Sequence, residues 1–251
     1  MDQVINKNKL PQWSGETIEN LVDPDNGVHS ARIYKDQEIF DQEMEKIFGK
    51  CWLLLGHESQ IPEVGDFITS RMGNDSVLVT RHRDDSVKVM LNQCRHRGIK
   101  LERGDYGNSR TFTCSYHGWC FDTEGALVGM PHSDHQKSCF DKKDWGLIAV
   151  PRVEVYKGLI FANWDENAES LDDYLAESKW YLDAFLERDE GGIEFIGLQK
   201  WTLRGNWKWG AEQHCSDFYH AQVSHVSYKD AFFPGASINR LKDVGEPEYG
   251  L

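Results

Sequence analysis

Apolar residues first recur at helical spacing beyond Asp36, where Ile39, Phe40, Met44, Ile47 and Phe48 share one broad face and Gly49 follows as a C-cap. Residues 1–28 are polar, punctuated by Gly, Asn and Pro, and without strong periodicity, so they read as an arm. The short apolar run at 51–56 predicts a buried strand. From about Ile61 to Asp165 the period shortens, and strand signals appear at 66–71, 76–81, 87–92, 111–115 and 159–164, separated by Gly, Asn and Asp. That pattern predicts a small antiparallel-sheet domain. A second helix is expected from Ser170, with Asp173 three residues on as in a capping box and Leu171, Tyr174, Leu175, Leu182, Phe185 and Leu186 as its stripe. After Gly191 and Gly192, a strand-like run at 193–203 leads into Asn206-Trp207-Lys208. No internal repeat or low-complexity tract interrupts the chain.

The chain has 251 residues, 39% of them hydrophobic and nine of them Trp, enough for one large or two ordinary domains with a packed core. Its 28 basic and 41 acidic residues give a formal charge of -13, which argues against a nucleic-acid or anionic-membrane partner; it fits a well-solvated surface or a basic protein partner. Residues 1–10 lack the apolar core of a signal peptide, and no stretch approaches a transmembrane span. Of six cysteines, two belong to metal-ligand motifs, and the other four, Cys51, Cys120, Cys139 and Cys215, show no disulfide framework spacing, so a reducing cytoplasm is the expected compartment.

Two short motifs change the picture. Cys94-Arg95-His96 and Cys114-Ser115-Tyr116-His117 are separated by seventeen residues and each is closed by a glycine, Gly98 and Gly118. A thiolate and an imidazole from each of two tight loops suit a Rieske 2Fe-2S cluster, in which two Cys hold one iron and two His the other. Zinc accepts the same ligand types, but its fingers normally pair Cys with Cys and His with His. Both readings stand on spacing alone, with the cluster favoured. Arg95 and Arg97 either guide a redox partner or form ion pairs at the loop tip. Trp119 is expected to pack under the cluster, Cys120 and Cys139 to be buried thiols, and His132 and His135 to be exposed polar residues.

A second constellation lies between Trp209 and Tyr228, with Glu212, His214, Asp217, His220 and His225. Two His and a carboxylate are the ligands of a facial-triad ferrous site. On an ideal helix His214 and His225 lie about 16 Å apart along the axis, too far for one ion. His220 and His225 are about 7.5 Å apart axially but rotated by about 140°. Sharing an ion therefore predicts distorted backbone between Ala221 and Ser224, as at a π-bulge or helix end. Asp217, one turn before His220, is placed to bond the second nitrogen of an imidazole. An ordinary amphipathic helix with surface His remains open for this segment when it is taken alone.

Together, C-x-H, C-x-x-H, NWK and D-x-x-H-x-x-x-x-H resemble the alpha subunit of Rieske non-haem iron aromatic-ring-hydroxylating dioxygenases. GHESQIPEVGDF from Gly56, NQCRHRG from Asn92, TCSYHGWCFD from Thr113, YKGLIFANWD from Tyr156 and GNWKWGAEQHCSDFYH from Gly205 carry the resemblance. The branch acting on biphenyl, toluene and related hydrocarbons is most similar, with Gln at Gln213. Departures are His214, where relatives usually have Phe, and the four residues between His220 and His225, a naphthalene-type spacing. The resemblance implies an α+β chain: an antiparallel β-sheet Rieske domain, followed by the start of an α+β helix-grip catalytic domain. Residues 1–55 would be an arm and helix of the catalytic domain, 56–165 the Rieske domain, and 166–251 the first part of the catalytic domain.

The resemblance also implies roles. Cys94, His96, Cys114 and His117 hold the 2Fe-2S cluster, and His220 and His225 hold the mononuclear Fe(II). Asp217 bridges a catalytic His to a Rieske His of a neighbouring subunit. Gln213, His214, Phe218 and Ala221 line the substrate pocket. Implied partners are a beta subunit in a trimer of alpha-beta pairs, a ferredoxin, and a ferredoxin reductase that draws on NADH; the substrates are an aromatic molecule and O2. The family's third iron ligand is a carboxylate farther downstream than Leu251, so the chain resembles the N-terminal portion of such a subunit, as a fragment or a natural truncation. Asp230, Asp243, Glu246 and Glu248 sit in no recognisable ligand context and are expected to be solvated loop residues. The respiratory type braces its two loops with a disulfide; the matching positions here are Ile99 and Tyr116, which cannot form one. Alternatives are a Rieske monooxygenase or demethylase, and, from another class, an electron-transfer Rieske protein, which needs nothing after about Asp165.

Overall fold

The computed structural model describes residues 21–132, 140–197, 199–215, 220, 224, 225, 227, 228 and 231. Strands are Val22–Asp23 (β1), Val28–His29 (β2), Leu53–His57 (β3), Asp66–Met72 (β4), Asp75–Arg81 (β5), Val87–Leu91 (β6), Tyr106–Asn108 (β7), Thr111–Thr113 (β8), Cys120–Asp122 (β9), Leu127–Gly129 (β10), Arg152–Tyr156 (β11) and Leu159–Asn163 (β12). Helices are Gln37–Glu43 (α1), Leu171–Leu175 (α2), Ser178–Leu186 (α3) and Trp207–Cys215 (α4). The chain divides into two compact units, one of residues 37–199 and one of residues 1–36 with 200–251.

The 37–199 unit is built on three antiparallel sheets, ordered β6-β5-β4-β7, β11-β12-β3 and β10-β9-β8. Side chains alternate across a strand, and the central strands use both faces. Ile68, Val77, Val79 and Val89 enter one core with Leu55, Val150 and Ile160, while Phe67, Leu78 and Met90 enter a second with Phe112, Trp119 and Phe121. Cys94 and Cys114 belong to that second core. Burial on two faces explains why the centre of β5 carries three consecutive apolar residues, Val77, Leu78 and Val79. The turn between β11 and β12 is Lys157-Gly158, with φ of 47° and 86°. Two positive φ values are what a type I′ hairpin requires.

Differences from the sequence reading have local causes. The first helix runs as α1 and then opens into a π-helical turn over Met44–Phe48, capped at Gly49. Ser170 accepts the Asp173 N–H at 3.1 Å as the capping pattern predicts. The single helix expected from there is two, because Ala176 adopts φ 42° between α2 and α3. Residues 193–197 and 199–203 form no strand; Ile196, Trp201 and Leu203 are exposed, and alternation without a neighbouring strand cannot hold a ladder.

In the other unit, β1 and β2 form a small hairpin. A 3-10 helix at Ala31–Tyr34 starts on Ser30, whose hydroxyl accepts the Arg32 N–H. Asn206 precedes α4 and accepts the Lys208 N–H at 3.0 Å, the N-cap role that places Asn in the NWK sequence. No helix among the described residues is long and apolar enough to cross a membrane.

Candidate metal centre

The two ligand loops are the same turn built twice. β6 leads into the first, and the second connects β8 to β9. In each, the Cys N–H donates to the carbonyl five residues on, Cys94 to Ile99 at 2.8 Å and Cys114 to Trp119 at 2.7 Å. The glycine four residues on returns its N–H to the Cys carbonyl, at 2.9 Å from both Gly98 and Gly118. Both glycines sit at positive φ, 74° and 69°, where a side chain costs about 1–2 kcal/mol. A Cβ on Gly118 would also stand 3.0 Å from Pro131. The motif needs Gly at that position in both loops for this reason, although His is the third residue of one motif and the fourth of the other.

Anchors behind the loops are buried. The Asn92 amide spans the base of the first loop, donating to the Glu102 carbonyl at 2.8 Å and accepting the Glu102 N–H at 2.9 Å. Thr80 donates its hydroxyl to the Thr123 carbonyl at 2.5 Å, and the His82 ring lies 2.7 Å from the Thr123 hydroxyl. These bonds tie the turn between β9 and β10 to β5.

The four ligand side chains stand as two pairs. Cys94 and Cys114 are buried, each 3% exposed. Burial pushes the Cys94 thiol up, opposed by the His96 N–H and reinforced by the neighbouring Cys114 thiol. His96 and His117 lie nearer the surface with ring centroids 4.5 Å apart. Burial, then the adjacent His117 and Arg97, hold the His96 imidazole below its usual value, so it stays neutral as a ligand must. Trp119 stacks on His96 at 4.9 Å and 9°.

His96 Nδ1 is buried and has no hydrogen-bond partner among the described residues. Such an atom is costly unless something binds it. An iron would satisfy it, and the residues therefore fit a 2Fe-2S cluster: two buried thiols, two imidazoles nearer the surface, and one ring nitrogen without a partner among the described residues. Among the described residues no three His, Cys, Asp or Glu side chains gather around one point. All the described cysteines, Cys51, Cys94, Cys114, Cys120 and Cys215, are free thiols.

His96 and His117 form one wall of a cleft of about 450 Å³, completed by Trp119, Met130, Pro131, His132, Phe140 and Trp145. Phe140 and Trp145 stack on each other at 5.6 Å and meet Trp119 edge-on. Sequence reasoning missed this aromatic wall, because nothing local to Phe140 or Trp145 signals contact with residue 119. His135 and Cys139 lie outside the described residues.

At the second constellation, His220 and His225 do meet. Their Nε2 atoms are 3.2 Å apart and their centroids 5.0 Å apart. Two nitrogens each about 2.1 Å from one ion at ordinary ligand angles lie about 3.0–3.4 Å apart, so the pair fits a shared metal. The Gln213 amide closes on the same point, 2.5 Å from His220 Nε2. His214 Nδ1 lies 2.8 Å from the Gly210 carbonyl of its own helix. Asp217, Phe218 and Ala221 lie outside the described residues. So do residues 221–223, where distorted backbone is expected; the bond that spans them, Ser224 N–H to the His220 carbonyl at 2.7 Å, has the ordinary α-helical pattern.

Comparison with known proteins gives this geometry its context. The Rieske [2Fe-2S] domain family matches residues 51–152. Biphenyl 2,3-dioxygenase subunit alpha of Rhodococcus jostii (strain RHA1) is 52% identical over 236 residues, 93% of this chain and 51% of that protein. Benzene 1,2-dioxygenase subunit alpha of Pseudomonas putida is 49% identical over 240 residues, 95% of this chain and 53% of that protein. The structure of naphthalene 1,2-dioxygenase from Rhodococcus sp. bound to indole superposes with a TM-score of 0.75 at 40% identity, over 80% of this chain and 46% of that one. The chain spans about half the length of the curated relatives it matches. It is therefore a mixed helix and antiparallel-sheet chain with a Rieske [2Fe-2S] domain, similar over most of its length to the alpha subunits of biphenyl, benzene and naphthalene dioxygenases.

Proposed function

We propose that this chain serves in the terminal oxygenase of a multicomponent system that adds both atoms of O2 to an aromatic ring, giving a cis-dihydrodiol. The observation that carries the reading is the coexistence of two separate ligand sets: the paired Cys/His loops, and the His220–His225 pair whose nitrogens stand 3.2 Å apart. Electron transfer alone would use the first and leave the second without a purpose. Bound, the cluster stores one electron and the ferrous ion offers open positions for dioxygen.

The chain's own residues prepare both sites. Core packing around Cys94 and Cys114 keeps water from the thiolate side, and the imidazole edges of His96 and His117 face the cleft as the route for electrons. His220 and His225 supply two of the three protein ligands of the ferrous site, with a downstream carboxylate as the third. Asp217 hydrogen-bonds an imidazole of that site and a Rieske imidazole of a neighbouring subunit. Gln213, His214, Phe218 and Ala221 shape the substrate pocket, which takes an aromatic hydrocarbon such as biphenyl or benzene. A ferredoxin and its reductase deliver electrons from NADH, and a beta subunit completes a trimer of alpha-beta pairs.

The test is turnover of the complete oxygenase with reductase, ferredoxin, NADH, biphenyl and isotopically labelled dioxygen. A cis-dihydrodiol carrying two labelled oxygens is expected. One labelled oxygen would make the protein a monooxygenase. NADH oxidation without oxygen in the product would reduce it to electron transfer.

A further inference from the structure

The arm and helix α4 meet through Tyr34, the last residue of the 3-10 helix. Its ring stacks on the Trp209 indole with centroids 4.1 Å apart and planes 15° apart. Its hydroxyl donates to the Glu212 carboxylate, one helical turn farther along α4. Its carbonyl accepts the Asn206 amide at 3.4 Å, and the same Asn206 caps the start of α4. The Lys208 ammonium lies 5.8 Å over the ring. One side chain thus touches the beginning and the middle of the helix, and the next residue after Glu212 is Gln213, whose amide rests on His220.

We propose that Tyr34 is a positioning residue for the mononuclear iron: its stack on Trp209 and its hydrogen bond to Glu212 fix the rotation of α4, and with it the alignment of Gln213 and His220. This inference rests on the reading that His220 and His225 hold ferrous iron. Magnitudes favour it. A rotation of about 20° moves a side-chain tip about 5 Å from the helix axis by nearly 2 Å, whereas a metal site holds its geometry to about 0.5 Å. Two contacts a turn apart resist that rotation, which a single contact would permit. Burial, followed by the hydrogen bond to Glu212 and its charge, pushes the Tyr34 hydroxyl up to about 12, so it remains a donor across the working pH range. In the sequence, Tyr34 stands 178 residues from Glu212, and nothing nearby marks it as part of an iron site.

The experiment compares Tyr34→Phe, which keeps the ring and loses the hydroxyl, Tyr34→Ala, which loses both contacts, and Glu212→Gln, whose amide oxygen still accepts. All are made in the full-length oxygenase. Ferrous affinity is read by chelator challenge, the iron environment by the electron paramagnetic resonance of the nitric oxide adduct, and the cluster by its visible absorption. Tyr34→Phe is expected to weaken ferrous binding by about twofold to thirtyfold and to alter the nitrosyl spectrum, with Tyr34→Ala farther along the same path and Glu212→Gln within about twofold of the parent. Cluster absorption and Tm should not change in Tyr34→Phe. Parent-like iron affinity and nitrosyl spectrum in Tyr34→Ala would overturn the inference, as would a Tyr34→Phe effect matched by equal loss of cluster and Tm. A parent protein without a nitrosyl signal overturns the iron-site reading, and the inference with it.

Discussion

His117→Cys will lower the reduction potential of the cluster by about 100 mV or more, toward the range of all-thiolate centres. His117 is the more exposed of the two ligand imidazoles, and its loop carries the same Gly-closed turn as the first. A thiolate in place of a neutral ring adds negative charge beside the iron that accepts the electron, so reduction becomes harder. Cys94, Cys114 and His96 remain to hold the other positions, and the loop's backbone bonds run from Cys114, Gly118 and Trp119, not from residue 117. Redox titration of the visible spectrum reads the result, with iron and sulfide content measured on the same sample. An unchanged potential at full iron and sulfide content would remove His117 from the ligand set.

Asp217→Asn in the complete oxygenase is expected to keep both metals and to cut turnover by about tenfold to a hundredfold. The amide still accepts one hydrogen bond, but it cannot place negative charge between two imidazoles, so alignment and proton movement both suffer. Single-turnover kinetics with a pre-reduced cluster separate the outcomes: slow cluster reoxidation with iron retained supports the bridging role. Normal reoxidation and product formation would defeat it, and loss of the mononuclear iron would make Asp217 a metal ligand.

Much of the candidate metal site was legible because it is local. Four candidate ligands and two glycines fall within 25 residues, and the reason for Gly98 and Gly118, a positive φ in a repeated turn, is a property of each loop alone. Helix geometry alone rotates His220 and His225 away from one another, so their meeting was expected only with a distorted backbone between them, and the way Gln213 closes on them was not legible at all. What the sequence hid is long-range. The stack of Trp119 on His96 could be guessed as packing, but the Phe140 and Trp145 wall behind it depends on a later segment folding back. Tyr34 reaches Trp209 and Glu212 by the same kind of non-local pairing.

Secondary structure failed where local signals were weak or misleading. β7, β8, β9 and β10 are three residues each, of which only β8 fell within an expected strand, and a three-residue strand has too little alternation to register. The apolar stripe from Leu171 to Leu186 is continuous in sequence yet broken at Ala176, because α2 packs Leu171 and Leu175 with Trp52, Leu159 and Phe161, and α3 brings Leu186 to the same core from a second direction. The run at 193–203 alternates like a strand and has none beside it among the described residues.

The central claim, that two Cys and two His of this chain hold a 2Fe-2S cluster, is tested most directly by anaerobic reconstitution of the 251-residue chain with iron, sulfide and zinc all offered. About two irons and two sulfides per chain are expected, with the low-temperature spectrum of a reduced Rieske centre, because all four ligands are held by one antiparallel-sheet unit. A chain that takes up zinc alone, without sulfide, would contradict the account.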